Sequence, residues 1–229
     1  MRTQQIAPIA DSRCLTERAF FSRMDLNDYP PMLLDERPLP LTAAGWIWEV
    51  QYDGYRLTAM FGDGACRLRT RAGADATGWF PELSKSLGAL RGGPYVTDGE
   101  VCVFDDIGRS DFSRLQDRAR KRRWFVGCDP VRYAIFDLMV DHGIGLTQRP
   151  LRQRKALLAE LLEPSPDNVL AVGHFNEDIP RIYNDAVMGL KLEGLVAKRD
   201  VSLYVPGRRS RDWVKLKGKS PAPPERAKP

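Results

Sequence analysis

Histidine and cysteine are scarce: two and four among 229 residues. Neither type is arranged to hold a metal. Cys14, Cys66, Cys102 and Cys128 contain no Cys-x-x-Cys pair, and His142 and His174 lack ligand spacing, which argues against a zinc ribbon or a disulfide framework. Scattered thiols of this kind point to a reducing compartment. Long apolar runs are missing as well. No stretch is long enough to span a bilayer, and residues 1–13 lack the apolar core of a signal peptide, so a cytoplasmic protein is expected. There is no internal repeat and no regular strand–helix alternation, which favours an α+β domain over a parallel α/β one.

What is present is the composition of a soluble globular protein, 43% hydrophobic and 28% charged, long enough for one substantial core. The formal charge of +5 permits a polyanionic partner without requiring one. Residues 1–25 read as a polar tail, 26–219 as the domain, and 220–229, rich in proline and charge, as a second tail. Strand-like runs cover Trp46 to Val50, Tyr55 to Phe61 and Ala65 to Arg71, with Gly62-Asp63-Gly64 as a hairpin turn. Further runs are Tyr95 to Thr97, Glu100 to Phe104, the apolar Val131 to Val140, Gly194 to Lys198 and Asp212 to Lys217. Two helices are expected: Leu151 to Leu162 on its leucine stripe, and Pro180 to Leu190 behind Asp178 as a cap.

Several short motifs occur in order along the chain. Glu49-Val50-Gln51-Tyr52-Asp53-Gly54-Tyr55-Arg56 is followed by Thr70-Arg71-Ala72-Gly73 and Asp98-Gly99-Glu100-Val101. Then come Phe112 to Arg118, Tyr133 to Leu138, Leu192 to Arg199, Tyr204 to Ser210 and Trp213-Val214-Lys215-Leu216-Lys217. Strand alternation puts Lys215 and Lys217 on one face, suited to a phosphate, and Val214 and Leu216 on the other. The plain alternative is an edge strand with solvated lysines. Likewise Phe136 is either a base-stacking ring or ordinary core. Glu100 and Glu193, beside glycines in apolar runs, are either ligands for a ribose or Mg²⁺ or surface carboxylates.

Taken in order, these motifs resemble those of the adenylation (nucleotidyltransferase) domain of ATP-dependent DNA ligases, over roughly residues 30 to 218, with Tyr204 to Ser210 typical of bacterial end-joining ligases. The resemblance implies two antiparallel sheets with flanking helices around a nucleotide cleft, ATP and Mg²⁺ as cofactors, and nicked or broken DNA as partner in repair or recombination. It further implies that Glu49 contacts adenine, Arg56 the ribose, and Phe136 stacks on the base. Glu100 would hold the ribose or metal, Glu193 the metal, and Lys215, Lys217 and Lys198 phosphate, while Arg71 would meet DNA phosphate. An NAD-dependent ligase is disfavoured, there being no four-cysteine zinc site, and an RNA ligase or capping-type enzyme is a weaker alternative.

Two departures stand out. The first of these motifs has the form Glu-x-Lys-x-Asp-Gly-x-Arg in the family, and Gln51 occupies the lysine position. An amide nitrogen shares its lone pair with the carbonyl and is a very poor nucleophile, so no enzyme–AMP is expected. The next lysines along the chain are Lys85 and Lys121. Second, no OB-fold domain follows Lys217, so such a domain is expected to be truncated or supplied by a separate partner. Two readings stay open: an impaired ligase domain, and a pseudo-ligase that binds ATP or DNA without covalent chemistry. The stretch Arg118 to Arg123, before Trp124 and Phe125, reads equally as a DNA contact and as a solvated loop.

Overall fold

The computed structural model describes residues 24–218. The expected tails lie outside them, apart from Met24 and Asp25. Ten strands among the described residues form two sheets. One contains β1 (Leu33–Asp35), β2 (Trp46–Gln51), β9 (Gly194–Arg199) and β10 (Arg209–Lys217), in the order β1-β10-β9-β2. The other runs β4-β3-β5-β6-β7, from β3 (Tyr55–Gly62), β4 (Ala65–Thr70), β5 (Tyr95–Cys102), β6 (Arg132–Asp141) and β7 (Ile144–Gly145), with β8 (Val169–Ala171) beside β6. Pairing is antiparallel except for β1 with β10 and β8 with β6, which are parallel. The α-helices are α1 (Pro81–Gly88), α2 (Phe112–Arg120), α3 (Leu151–Leu161) and the short α4 (Ile179–Ile182). The result is the expected α+β architecture of two sheets and few helices.

Local chemistry explains the elements. Asp63 and Gly64 adopt positive φ (44° and 91°), the two-residue turn that matches strand twist in the β3–β4 hairpin. β6 is buried along nearly its whole length, as its continuous apolar run suggested. β5 corrects the sequence reading, which split it in two at Asp98-Gly99. Asp98 is fully buried and takes hydrogen bonds from Arg56 and Tyr204. At Gly99 a Cβ would lie 2.6 Å from the Tyr133 ring and 2.7 Å from the Ala134 carbonyl. The apparent strand breakers are interior parts chosen for pairing and for space.

The helices differ from expectation in three places. α1 and α2 were not foreseen. Pro81 opens the first, and Asp111 caps the second by accepting the Arg114 amide at 3.0 Å. Only Leu115, Arg118 and Ala119 of α2 are buried, too few to give a clear apolar stripe. The single helix expected over Pro180 to Leu190 is instead the four residues of α4 followed by a π-helical turn, Tyr183–Met188. Asp178 sits at φ 54° and makes no capping bond.

One apolar cluster fills the second sheet against α1, α2 and α3. Another, including Trp46, Trp48, Ile179 and Val187, backs the first sheet. A third joins the sheets through Ile47, Met60, Val96, Met139, Tyr204 and Trp213, with Phe136 packed at its edge. Beyond Phe136 the sheets part into a cleft. Among the described residues no helix is long and apolar enough to cross a membrane.

Candidate functional site

The segment from Glu49 to Arg56 links the two sheets and forms one wall of this cleft. β2 ends at Gln51, and the chain turns through Asp53-Gly54 into β3 of the other sheet. The turn demands glycine, because a Cβ on Gly54 would come 2.1 Å from the Val101 carbonyl oxygen. Ser110 Oγ accepts the Asp53 amide at 2.9 Å and ties the turn to the loop before α2.

A cavity of about 230 Å³ opens there. β2 contributes Glu49 and Gln51, β3 Arg56, β5 Glu100, β6 Phe136 and β10 Lys215. Lys198 comes from β9, Glu193 from just before it, and Arg71 from just beyond β4. Of the residues singled out in the sequence, only Lys217 falls outside this cavity. It is exposed and lines an adjoining, wider part of the cleft with Asp53, Arg109, Lys191 and Glu193.

At the deep end both Glu49 oxygens are engaged. Lys155 Nζ lies 2.5 Å from one and Lys198 Nζ 2.6 Å from the other, and all three side chains are almost wholly buried. Burial alone would raise the Glu49 carboxyl, but the two ammonium groups outweigh it and hold it below the usual range. Burial pulls Lys198 down to about 8 despite Glu49. Its Nζ sits 4.3 Å from the Phe136 ring centre and 4.1 Å from that of Trp213. Lys198 is therefore committed to a carboxylate and two rings, an arrangement unlike that of a free phosphate ligand. Phe136 also carries the Arg56 guanidinium at 4.9 Å and meets Trp213 edge to face. Its ring is both cleft wall and core edge, so the two readings of it are not exclusive.

Arg56 is fixed by a fork of hydrogen bonds to Asp98 at 2.9 and 2.7 Å and by the Met32 carbonyl at 2.9 Å. Tyr204 adds its hydroxyl to the same carboxylate at 2.6 Å. Burial would lower the guanidinium's affinity for its proton, but Asp98 more than compensates, and Arg56 stays charged.

The outer end is looser. Glu193 Oε1 accepts from Gln51 Nε2 at 3.2 Å and from Lys215 Nζ at 3.0 Å. The other Gln51 amide atom, Oε1, is buried without a hydrogen-bond partner. An amine therefore does stand beside residue 51 in space, although none does along the chain. Burial pushes Glu100 up to about 8, against the pull of Arg56 and with help from Asp98 and Asp53. Asp53 is raised too, by burial and then by Glu193. Burial thus favours the neutral form of both carboxyls. No group of three or more His, Cys, Asp or Glu residues able to hold a metal occurs among the described residues.

Lys155, Asp98 and Tyr204 belong to the site but were not singled out from the sequence. The signal for Lys155 was available. Leu151, Arg154, Lys155 and Leu158 are all buried at i, i+3, i+4, i+7 spacing, so the helical period itself put a lysine on the inner face of α3. Asp98 gave none beyond its place in a motif.

Comparison with known proteins agrees with this geometry. The profile of the ATP dependent DNA ligase domain matches residues 36–217. The multifunctional non-homologous end joining protein LigD of Pseudomonas aeruginosa is 38% identical over 172 residues, covering 75% of this chain and 20% of that protein. The corresponding DNA repair protein LigD of Mycobacterium tuberculosis is 34% identical over 197 residues, covering 84% of this chain and 24% of that protein. The chain thus spans a fifth to a quarter of the length of these relatives. The crystal structure of the ligase domain from M. tuberculosis LigD matches with a TM-score of 0.71 and 31% identity, over 85% of this chain and 62% of that one. A mycobacterial DNA ligase D complexed with ATP and MES matches with a TM-score of 0.71 and 32% identity, over the same 85% and 62%.

Proposed function

Since the chain belongs to the ATP-dependent DNA ligase family, as an adenylation domain, we propose that its cleft binds ATP reversibly for work on nicked or broken DNA, and that Gln51 keeps it from forming enzyme–AMP. In this reading Phe136 stacks on the adenine and Glu49, held by Lys155 and Lys198, faces the base. Arg56 and Glu100 lie along the ribose, Lys215 and Lys217 meet phosphate, and Arg71 faces the DNA backbone. The observation that carries the proposal is the pair of hydrogen bonds at Glu193. The carboxylate, Lys215 and the rest of the cavity wall are assembled, while residue 51 presents only an amide.

Mg²⁺ fits the donor set. It is commonly held by one or two carboxylates together with substrate phosphates rather than by an all-protein cage. Burial holds the Asp53 and Glu100 carboxyls toward their neutral forms, and a cation arriving on phosphates would favour their ionised ones. Glu193 and Glu100 would hold it, and bound there it would neutralise phosphate charge. The chain's own part is to orient the nucleotide and supply the Lys215 and Lys217 cations.

The test is intact mass after incubation with ATP and Mg²⁺, followed by denaturation. No AMP-sized increase is expected. A second reading rests on the same geometry: Lys215 Nζ, sharing an oxygen with Gln51, takes over as nucleophile. An adduct that disappears in Lys215→Ala would establish that reading and overturn the first.

A further inference from the structure

Beyond α2 the chain passes through Lys121 to Val126 before turning back toward β6. Residues 118–128 carry five cations and no carboxylate. The structure divides this cluster by role. Arg118 is buried, with its guanidinium on Glu82 and on the Arg123 carbonyl, both at 2.8 Å, and close to the Phe80 and Phe125 rings. It braces the loop from within. Lys121 lies 3.9 Å from the Phe125 ring centre and Arg122 lies 5.0 Å from that of Trp79.

Left-handed turns at Arg122 (φ 49°) and Gly127 (φ 79°) then reverse the chain. Phe125 faces inward, but Trp124 is 54% exposed and Val126 87%. The other four tryptophans are buried or half-buried. A large apolar ring held outward among cations calls for a partner that is both anionic and flat-faced.

We propose that this loop docks unpaired nucleotides flanking a DNA break, with the Trp124 indole stacked on a base and Arg120, Lys121, Arg122 and Arg123 on the phosphates. The proposal rests on the DNA reading above and names a partner surface for it. Duplex DNA hides its base faces, whereas a single strand offers phosphate and an open π-face together. The local acids offset only part of the patch: Asp117 pairs with Arg120, Asp129 pairs with Arg114 outside it, and Lys121, Arg122 and Arg123 remain to carry the charge. The position also suits a strand leaving the cleft. Asp111 and Phe112, at the start of α2, line the cleft with Asp53 and Glu193. A helix of nine residues spans about 14 Å, or roughly four stacked nucleotides.

The test uses fluorescence anisotropy with 5′-phosphorylated duplexes that are either blunt or carry an oligothymidine overhang. The overhang should bind more tightly than the blunt end. Trp124→Ala should weaken the overhang complex roughly 5- to 150-fold, leave the blunt one unchanged, and be largely rescued by Trp124→Phe. Arg122→Ala with Arg123→Ala should flatten the slope of log K against log salt for the overhang by about 1.4 units. An unchanged overhang affinity in Trp124→Ala, with blunt duplex still bound, overturns the loop proposal alone. Displacement of the overhang by polyglutamate as readily as by oligothymidine overturns it in favour of an acidic protein partner. Absence of binding to every DNA overturns both this proposal and the DNA reading.

Discussion

Replacing Lys155 with methionine tests whether the buried charges at the cleft's deep end are structural. Lys155 and Glu49 are 6% and 3% exposed at the side chain, with 2.5 Å between nitrogen and oxygen. Lys155 Nζ also donates to the Val172 carbonyl at 2.7 Å. Breaking a buried pair by removing one partner typically costs about 3–5 kcal/mol. Here Lys198 remains 2.6 Å from the other Glu49 oxygen, so the lower end, about 3 kcal/mol, is expected. In a domain of this size that is about 6–12 °C in Tm. Glu49 is held below its usual range. The pair's contribution is therefore present above the unfolded pKa of 4.5 and lost as pH falls through the folded value. The penalty should shrink on acidification. Urea denaturation of wild type, Lys155→Met, Glu49→Gln and the double variant would measure the coupling directly. A Lys155→Met loss below about 1 kcal/mol at pH 7, with an unchanged m value, would refute the assignment.

Gln51→Lys should yield an AMP adduct by intact mass, because the new ammonium would lie where Gln51 Nε2 now meets Glu193; an unmodified variant that still binds ATP would show that more than the nucleophile is missing. Phe136→Ala should weaken ATP roughly 5- to 150-fold by calorimetry, from a stacking energy of about 1–3 kcal/mol, and an unchanged affinity in a folded variant would assign the ring to the core alone. In the absence of Mg²⁺, ATP affinity should fall as pH rises from 7 to 9, since Glu100 gains its negative charge and Lys198 loses its positive one near pH 8. A unit charge about 10 Å away is worth about 1.5 kcal/mol at an effective dielectric near 20, or about tenfold per group, and Glu100→Gln should flatten the profile. Arg71→Ala should lower DNA affinity and reduce the salt slope by about one unit; an unaltered slope would remove Arg71 from the interface.

Strands were legible wherever apolar residues ran together or a turn was marked by glycine, as in the β3–β4 hairpin and β6. They were misread at β5, because Asp98 and Gly99 have the chemistry of a turn until Arg56, Tyr204 and the Tyr133 ring are placed against them. α2 escaped notice because it buries so few side chains. At the site, motif order was enough to collect residues from seven strands or strand ends into one cavity. What it left out were the partners that fix them. The environment of Glu49 depends on a lysine more than a hundred residues away, and the proximity of Lys215 to Gln51 depends on strand pairing through β9. The helical period marks Lys155 as inward-facing, but which residue each of these groups meets has no local sequence signal.

The division of the cleft into two halves bears on what a substitution at position 51 does. In the deep half, Glu49 with Lys155 and Lys198, and Arg56 with Asp98 and Tyr204, are buried and paired with one another. None of these groups shares a hydrogen bond with Gln51. Exchanging lysine for glutamine at 51 therefore takes no hydrogen bond from the walls proposed for the base and ribose. The outer half is different, because Glu193 binds Gln51 and Lys215 through one oxygen. A substitution at 51 that removed its donor would leave that carboxylate to Lys215 alone and hold the ammonium more firmly. An amide at position 51 is thus compatible with an assembled deep half, which has no hydrogen bond to it, while the outer half is coupled to it through Glu193.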